Sequence, residues 1–168
     1  MIWPSIALLA FVTLQRLVEL PIAHANMKRL LAAGGYEVGA NHYPLLVAVH
    51  AAWLATLWWF APGRPVDLPF LALFILIEIG RIWVLRTLGH RWTTRIIVVP
   101  GEQLVASGPY RFVNHPNYLV VVGEIAVLPL VFGLWKIALV FTVLNAMALT
   151  IRIRAENRAL AANGIRPS

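Results

Sequence analysis

Long apolar runs separated by polar connections set the plan of this chain. The first run covers Ile2 to about Leu20, the second about Tyr43 to Phe60, and the third about Leu68 to Leu88. The segment APGRPVD (61–67) carries two prolines and a glycine and ends the second run. A last apolar stretch starts near Tyr118 and ends near Ile151, with Gly133 near its middle. It reads as a tight helical hairpin with halves of about 17 residues, the lower limit for crossing a hydrocarbon core. Hydropathy alone leaves open one long interrupted span. The pattern predicts an all-α integral membrane protein of about five transmembrane helices, with a C-terminal helical hairpin. The tail IRIRAENRALAANG adds a short cytoplasmic helix by composition, with Gly164 as its stop.

Composition agrees with that class. The 168 residues are 60% hydrophobic and 12% charged, with a mean hydropathy of +0.76. A soluble domain is about half apolar and about a quarter charged. The length suggests one domain spanning 1–168. The N-terminus lacks a basic n-region and an A-x-A-like cleavage site, so it reads as a retained first span. No cysteine is present, which excludes disulfides, Cys-ligated metals and a Cys nucleophile.

The net charge of +7 raises nucleic acid as a partner. The chain has no lysine-rich tail or basic low-complexity arm, and most cations are arginines at the ends of apolar segments. That is the placement of membrane topology. Five alternating spans put the polar connections 21–42 and 89–117 on one face with the tail. This face carries Lys28, Arg29, Arg91, Arg95, Arg111, Arg154, Arg158 and Arg166, and the other keeps Arg64 and Lys136. The positive-inside rule makes the rich face cytoplasmic and the N-terminus external. A cell inner membrane is the expected location.

Ionisable groups inside spans are costly and mark function or paired contacts. Here they are Gln15, Arg16 and Glu19, then His50, then Glu78 and Arg81, then Glu124, and finally Asn145 and Arg152. Most fall in the cytoplasmic half of their span, as for a polar cavity open to the cytoplasm. Arg16 with Glu19, and Glu78 with Arg81, sit at i,i+3 and can pair on one helix face. His50 is either an interhelical hydrogen bonder or a substrate-binding group, with Glu124 as a second candidate. A small transporter with a polar path through Glu78, Arg81 and Glu124 is the reading from another functional class.

The densest polar string is SGPYRFVNHPNY (107–118). Gly108-Pro109 and His115-Pro116-Asn117 are turn chemistry that stops the chain from running helically into the fourth span. Tyr110, His115 and Tyr118 offer aromatic faces with polar tips. Pro116 and Asn117 lead into a helix N-terminus, whose free N–H groups suit a carboxylate or a ribose hydroxyl. A small zwitterionic aromatic cofactor suits such a site; so does the plainer role of a well-capped interfacial loop.

GPYRFVNHPNY, followed across an apolar hairpin by RIRAENRAL, resembles the isoprenylcysteine carboxyl methyltransferase family and its phospholipid methyltransferase relatives. The family pattern is G-P-Y, three or four residues, R-H-P-x-Y, then a later R-x-x-x-E-E-x-x-L. The match covers Gly108 to Leu160, and RWTTRIIVVPGEQLVASGPY upstream is similar to the family's lead-in. Two positions depart: Asn114 stands for the family's Arg, and Asn157 for its second Glu.

The resemblance implies S-adenosylmethionine as cofactor, held within about 89–164. Gly108, Pro109, Tyr110, His115, Pro116 and Tyr118 would form the pocket. Glu156 would hold the cofactor's polar groups or align the tail. Arg152 would orient the acceptor, sharing a helix face with Glu156 one turn away; the plainer reading of Arg152 is a snorkelling juxtamembrane cation. No His/Glu set at metal spacing accompanies the motif. The implied reaction is methyl transfer to a lipophilic acceptor drawn from the bilayer: a prenylated cysteine carboxylate, or the hydroxyl of an alkyl-polyketide as in small bacterial members. A carboxylate needs no base. A phenol, enol or amine does, and His50, His42 and Glu124 are then the candidates.

Overall fold

The computed structural model describes residues 3–163. Ile2, Gly164 and Arg166, named above as a span end, a helix stop and a topological cation, lie outside that range. Five α-helices make up most of it: α1 (Trp3–Ala32), α2 (Tyr43–Phe60), α3 (Leu68–Leu88), α4 (Pro116–Val131) and α5 (Trp135–Ala162). Four are long and apolar enough to cross a membrane, and α4 is a shorter apolar helix. The protein is an all-α integral membrane protein ending in a hairpin, as the hydropathy predicts.

Three boundaries differ from the sequence reading. The first helix does not end near Leu20 but continues to Ala32 with Pro21 inside it. Proline is tolerated in membrane helices because local adjustments and neighbours meet the freed backbone groups. Beyond it the run AHANMKRLLA is rich in helix formers. The tail is also no separate helix, since α5 carries through Ile151 to Ala162 without a break. Finally, Tyr36–Val38 (β1) pairs antiparallel with Ile96–Val98 (β2), with Glu37 opposite Ile97. The two polar connections are therefore stitched together.

The α4–α5 turn is made at Gly133, with φ of 67°, a conformation that costs a residue bearing Cβ. Asp67 caps α3 by accepting from the Phe70 N–H at 3.1 Å, and its own N–H donates to the Val131 carbonyl at 2.8 Å. That contact joins the start of α3 to the end of α4. Between the helices lies an apolar core that includes Leu9, Trp53, Leu57, Phe74, Leu128 and Phe132. Outward-facing Trp59, Leu76 and Leu139 are largely exposed, as suits a lipid-facing surface.

One polar cluster crosses this core. Arg81 grips Glu19 with Nε and Nη2 (2.7 and 2.5 Å) and both Glu124 oxygens with Nη1 (2.8 and 2.9 Å). Arg16 reaches Glu124 at 2.5 Å and Glu19 at 3.2 Å. The i,i+3 pairing expected of Arg16 and Glu19 forms. Glu78 does not pair with Arg81; it accepts from Gln15 Nε2 at 2.8 Å. Two guanidiniums and two carboxylates thus close a ring across α1, α3 and α4. Asn145 on α5 is fully buried, with neither amide atom bonded to a described residue.

Candidate active site

The polar string builds one wall of a cavity of about 340 Å³ at the helix ends. Gly108 starts a short 3-10 turn, Gly108–Arg111, with φ of 56°. A Cβ there would lie 2.5 Å from Thr87 Oγ1 and 3.2 Å from Trp83 Nε1. The glycine is needed for close seating on the end of α3. Pro109 is buried and Pro116 opens α4. Neither these prolines nor Gly108 line the cavity; they set the path that brings Tyr110, Asn114, His115, Asn117 and Tyr118 to it.

Arg152 and Glu156 come to the same cavity from α5. Arg152 Nε donates to the Tyr118 hydroxyl at 2.9 Å, and that hydroxyl donates to Glu156 Oε2 at 2.6 Å. Tyr118 is therefore the hub of a cation–phenol–carboxylate chain. Charge-assisted bonds of this kind are worth about 1.5–3 kcal/mol each. The two Arg152 Nη groups have no hydrogen-bonding partner among the described residues. His115 stacks on Tyr118, with ring centroids 5.2 Å apart and planes at 20°. Its Nδ1 lies 3.9 Å from Glu156 Oε2. Burial, and secondarily the Glu156 charge, pushes the Tyr110 phenol above its ordinary value, so it stays a neutral donor at physiological pH.

The opposite wall comes from residues that hydropathy and turn rules did not single out. Arg91, Arg95, the β2 strand and the segment up to Ala106 complete the cavity. Arg91 pairs with Glu102 and donates to the Gln103 carbonyl at 2.8 Å. Arg95 bonds Glu37 at 2.6 Å and lies 4.3 Å over the Tyr43 ring. Tyr43 in turn bonds Thr94 at 3.1 Å. Asn26 of α1 donates to the Trp92 carbonyl at 2.9 Å. The first half of the chain thus holds the wall in place. The signals in the sequence for this wall were the resemblance of its lead-in and the place of Arg91 and Arg95 among the cations of the arginine-rich face.

A second, more open space of about 540 Å³ lies along α4 and α5. Phe112, Leu119, Val122, Leu149 and Ile153 are among its apolar walls. Asn114, His115 and Tyr118 border both spaces. His50 and Glu124 border neither, and nor does His42. His50 Nδ1 is bonded within its own helix to the Leu46 carbonyl at 2.8 Å, not across helices. Glu124 is held in the ion-pair ring. Arg81 and Glu124, two of the three residues of the polar-path reading, are thereby committed to each other. Among the described residues no group of three or more His, Asp or Glu side chains is placed to hold a metal ion.

Comparisons with known proteins agree with this architecture. Residues 70–162 match the model of the isoprenylcysteine carboxyl methyltransferase family. The chain is 35% identical to the uncharacterized protein YpbQ of Bacillus subtilis (strain 168), over 91% of this chain and 94% of that one. It is 28% identical to an uncharacterized protein of Haemophilus influenzae, covering 86% and 88% of the two chains. No solved structure matches. With a double motif brought together on one cavity and more than half its length matched, this chain belongs to the isoprenylcysteine carboxyl methyltransferase family and is a membrane methyltransferase at that level.

Proposed function

We propose that the protein transfers a methyl group from S-adenosylmethionine to a lipophilic acceptor at the cytoplasmic membrane edge. The observation that carries this reading is the shared border. A polar, aromatic cavity and an apolar groove meet at Asn114, His115 and Tyr118. A water-soluble donor and a bilayer-borne acceptor can therefore approach one point from opposite sides. The cavity volume falls in the range of small-molecule sites, roughly 300–1,000 Å³.

The donor set fits the cofactor. Arg152, expected from the resemblance to orient the acceptor, borders the polar cavity and not the groove, so its Nη fork suits the cofactor's carboxylate; Glu156 suits its ammonium or ribose hydroxyls, and Tyr110 and Tyr118 its aromatic base. When bound, the cofactor supplies a methyl group activated on a sulfonium. The chain's own contribution is position: near-attack placement removes much of the entropic barrier. The cofactor-binding part is 89–164 of a single domain spanning 1–168.

The acceptor is an isoprenylcysteine-like carboxylate or an alkyl-polyketide hydroxyl. Asn114 favours the hydroxyl, because the shared border lacks the family's guanidinium there and so has less charge to hold a carboxylate. The groove's apolar walls suit an alkyl chain and membrane lipids. The arginine-rich end is proposed to face the cytoplasm of the cell inner membrane, with the N-terminus outside. A Cys placed at Ser107 should then be labelled from the cytoplasm. Mass spectrometry of lipid extracts incubated with S-adenosylmethionine and the purified protein tests the activity. One or more apolar species should gain a methylene's mass, and an unchanged lipid profile would contradict the proposal.

A further inference from the structure

One side of the polar cavity is a single thickness of chain. Every residue from Glu102 to Ala106 lines it, yet Gln103, Leu104 and Ala106 are also exposed. Glycines of positive φ bound this strap. Gly101, at 79°, makes the turn out of β2, where the Glu102 N–H donates to the Val99 carbonyl at 3.2 Å. Gly108 is seated on the end of α3. Between them, the backbone of residues 103–106 makes one hydrogen bond among the described residues, in which the Gln103 carbonyl accepts from Arg91 Nη1 at 2.8 Å. Arg91 Nη2 pairs with the Glu102 carboxylate. One guanidinium thus holds the strap at two adjacent residues.

The post that carries this guanidinium is firmly set. Arg91 ends the 3-10 turn Gly89–Arg91 that follows α3. The carbonyls on either side of it, of Gly89 and Trp92, both accept from Asn26 Nδ2 of α1, at 3.3 and 2.9 Å. Trp92 itself is buried. The Arg91–Glu102 pair is different, with each side chain 32% exposed. An ion pair that open to water is weak and breaks readily. A fixed post, a strap with few bonds of its own and a weak tie between them have the attributes of a latch.

We infer that Arg91 and Glu102 latch the strap over the cavity, and that the cofactor enters and its demethylated product leaves when the latch opens. The inference rests on the methyl-transfer reading above. Both residues are positioning residues, with no part in the chemical step. The latched strap keeps water from the bound cofactor, and its opening gates exchange.

Charge exchange tests the latch. Binding and release of S-adenosylhomocysteine are followed by surface plasmon resonance on nanodiscs carrying wild type, Arg91→Glu, Glu102→Arg and the double exchange. Each single exchange places like charges opposite one another. Both association and release should become about tenfold faster, and the double exchange should bring both rates back to within about threefold of wild type. A direct contact with the ligand would speed release alone, with no rescue, and that result would overturn the inference. A second measurement needs no ligand. The chain has no native cysteine, so Val105→Cys supplies one thiol on the half-buried part of the strap. It should react with a polar maleimide about tenfold faster when Arg91→Glu is added, and at the original rate in the double exchange. Unaltered thiol reactivity in the single exchange would also overturn the latch. Should wild type bind no S-adenosylhomocysteine, the methyl-transfer reading falls and the thiol rates alone decide the latch.

Discussion

Two clusters in this protein pair arginine with glutamate, and they are built differently. In the ring across α1, α3 and α4, every carboxylate oxygen of Glu19 and Glu124 accepts a bond and all three Arg81 nitrogens donate. Among the described residues, Arg16 Nε is the one ring nitrogen without a partner. At the cavity, Arg152 commits only Nε, to a phenol instead of a carboxylate, and among the described residues its Nη groups have no partner. The first cluster neutralises itself and ties three helices. The second keeps donors in reserve beside open space. The ring is a fastening between helices, and the cavity cluster is the proposed binding site.

That contrast is most easily broken at Arg81. Arg81→Met leaves Glu19 and Glu124 with only Arg16 between them. Removing one partner of a buried pair costs about 3–5 kcal/mol. Thermal unfolding in detergent should show a large loss of stability, whereas S-adenosylhomocysteine should still bind to whatever remains folded. At the cavity, Arg152→Lys should do the reverse. It keeps the charge but not the planar fork. Losing a charge-assisted contact of about 1.5–3 kcal/mol corresponds to about tenfold to hundredfold slower methyl transfer. The unfolding midpoint should stay near that of wild type; near wild-type turnover would make Arg152 a topological cation only. Smallest is Tyr43→Phe, which removes the bond to Thr94 but keeps the ring under Arg95. A net loss of about 0.5–1.5 kcal/mol should raise KM for S-adenosylmethionine a few-fold with little change in kcat.

The helices were legible because apolar runs of this length have few alternatives to spanning a bilayer, and Gly133 marked the hairpin by its need for positive φ. The start of the site was legible too. Turn chemistry at Gly108-Pro109 and His115-Pro116 identified the string, and one-turn spacing put Arg152 and Glu156 on a shared face, where both meet the cavity. Pairings between distant segments were not. Glu78 and Arg81 suggested a local pair, but which partner Arg81 takes depends on α1 and α4 lying beside α3. The β1–β2 ladder joins two short stretches sixty residues apart (Glu37 to Ile97), with too little alternation in three residues to announce a strand. Pro21 and the polar residues after it ended the apolar run without ending the helix. Hydropathy reports where lipid stops, and backbone geometry continues past that point.

The central claim is that the open cluster, and not the closed ring, holds the cofactor. Calorimetric titration of S-adenosylhomocysteine into wild-type protein and Glu156→Gln in nanodiscs tests it most directly. Wild type should bind at micromolar affinity or better, about 8 kcal/mol. Glu156→Gln should bind at least about tenfold more weakly, with an unchanged unfolding midpoint. Equal affinities for the two proteins, or no binding by wild type, would contradict the account.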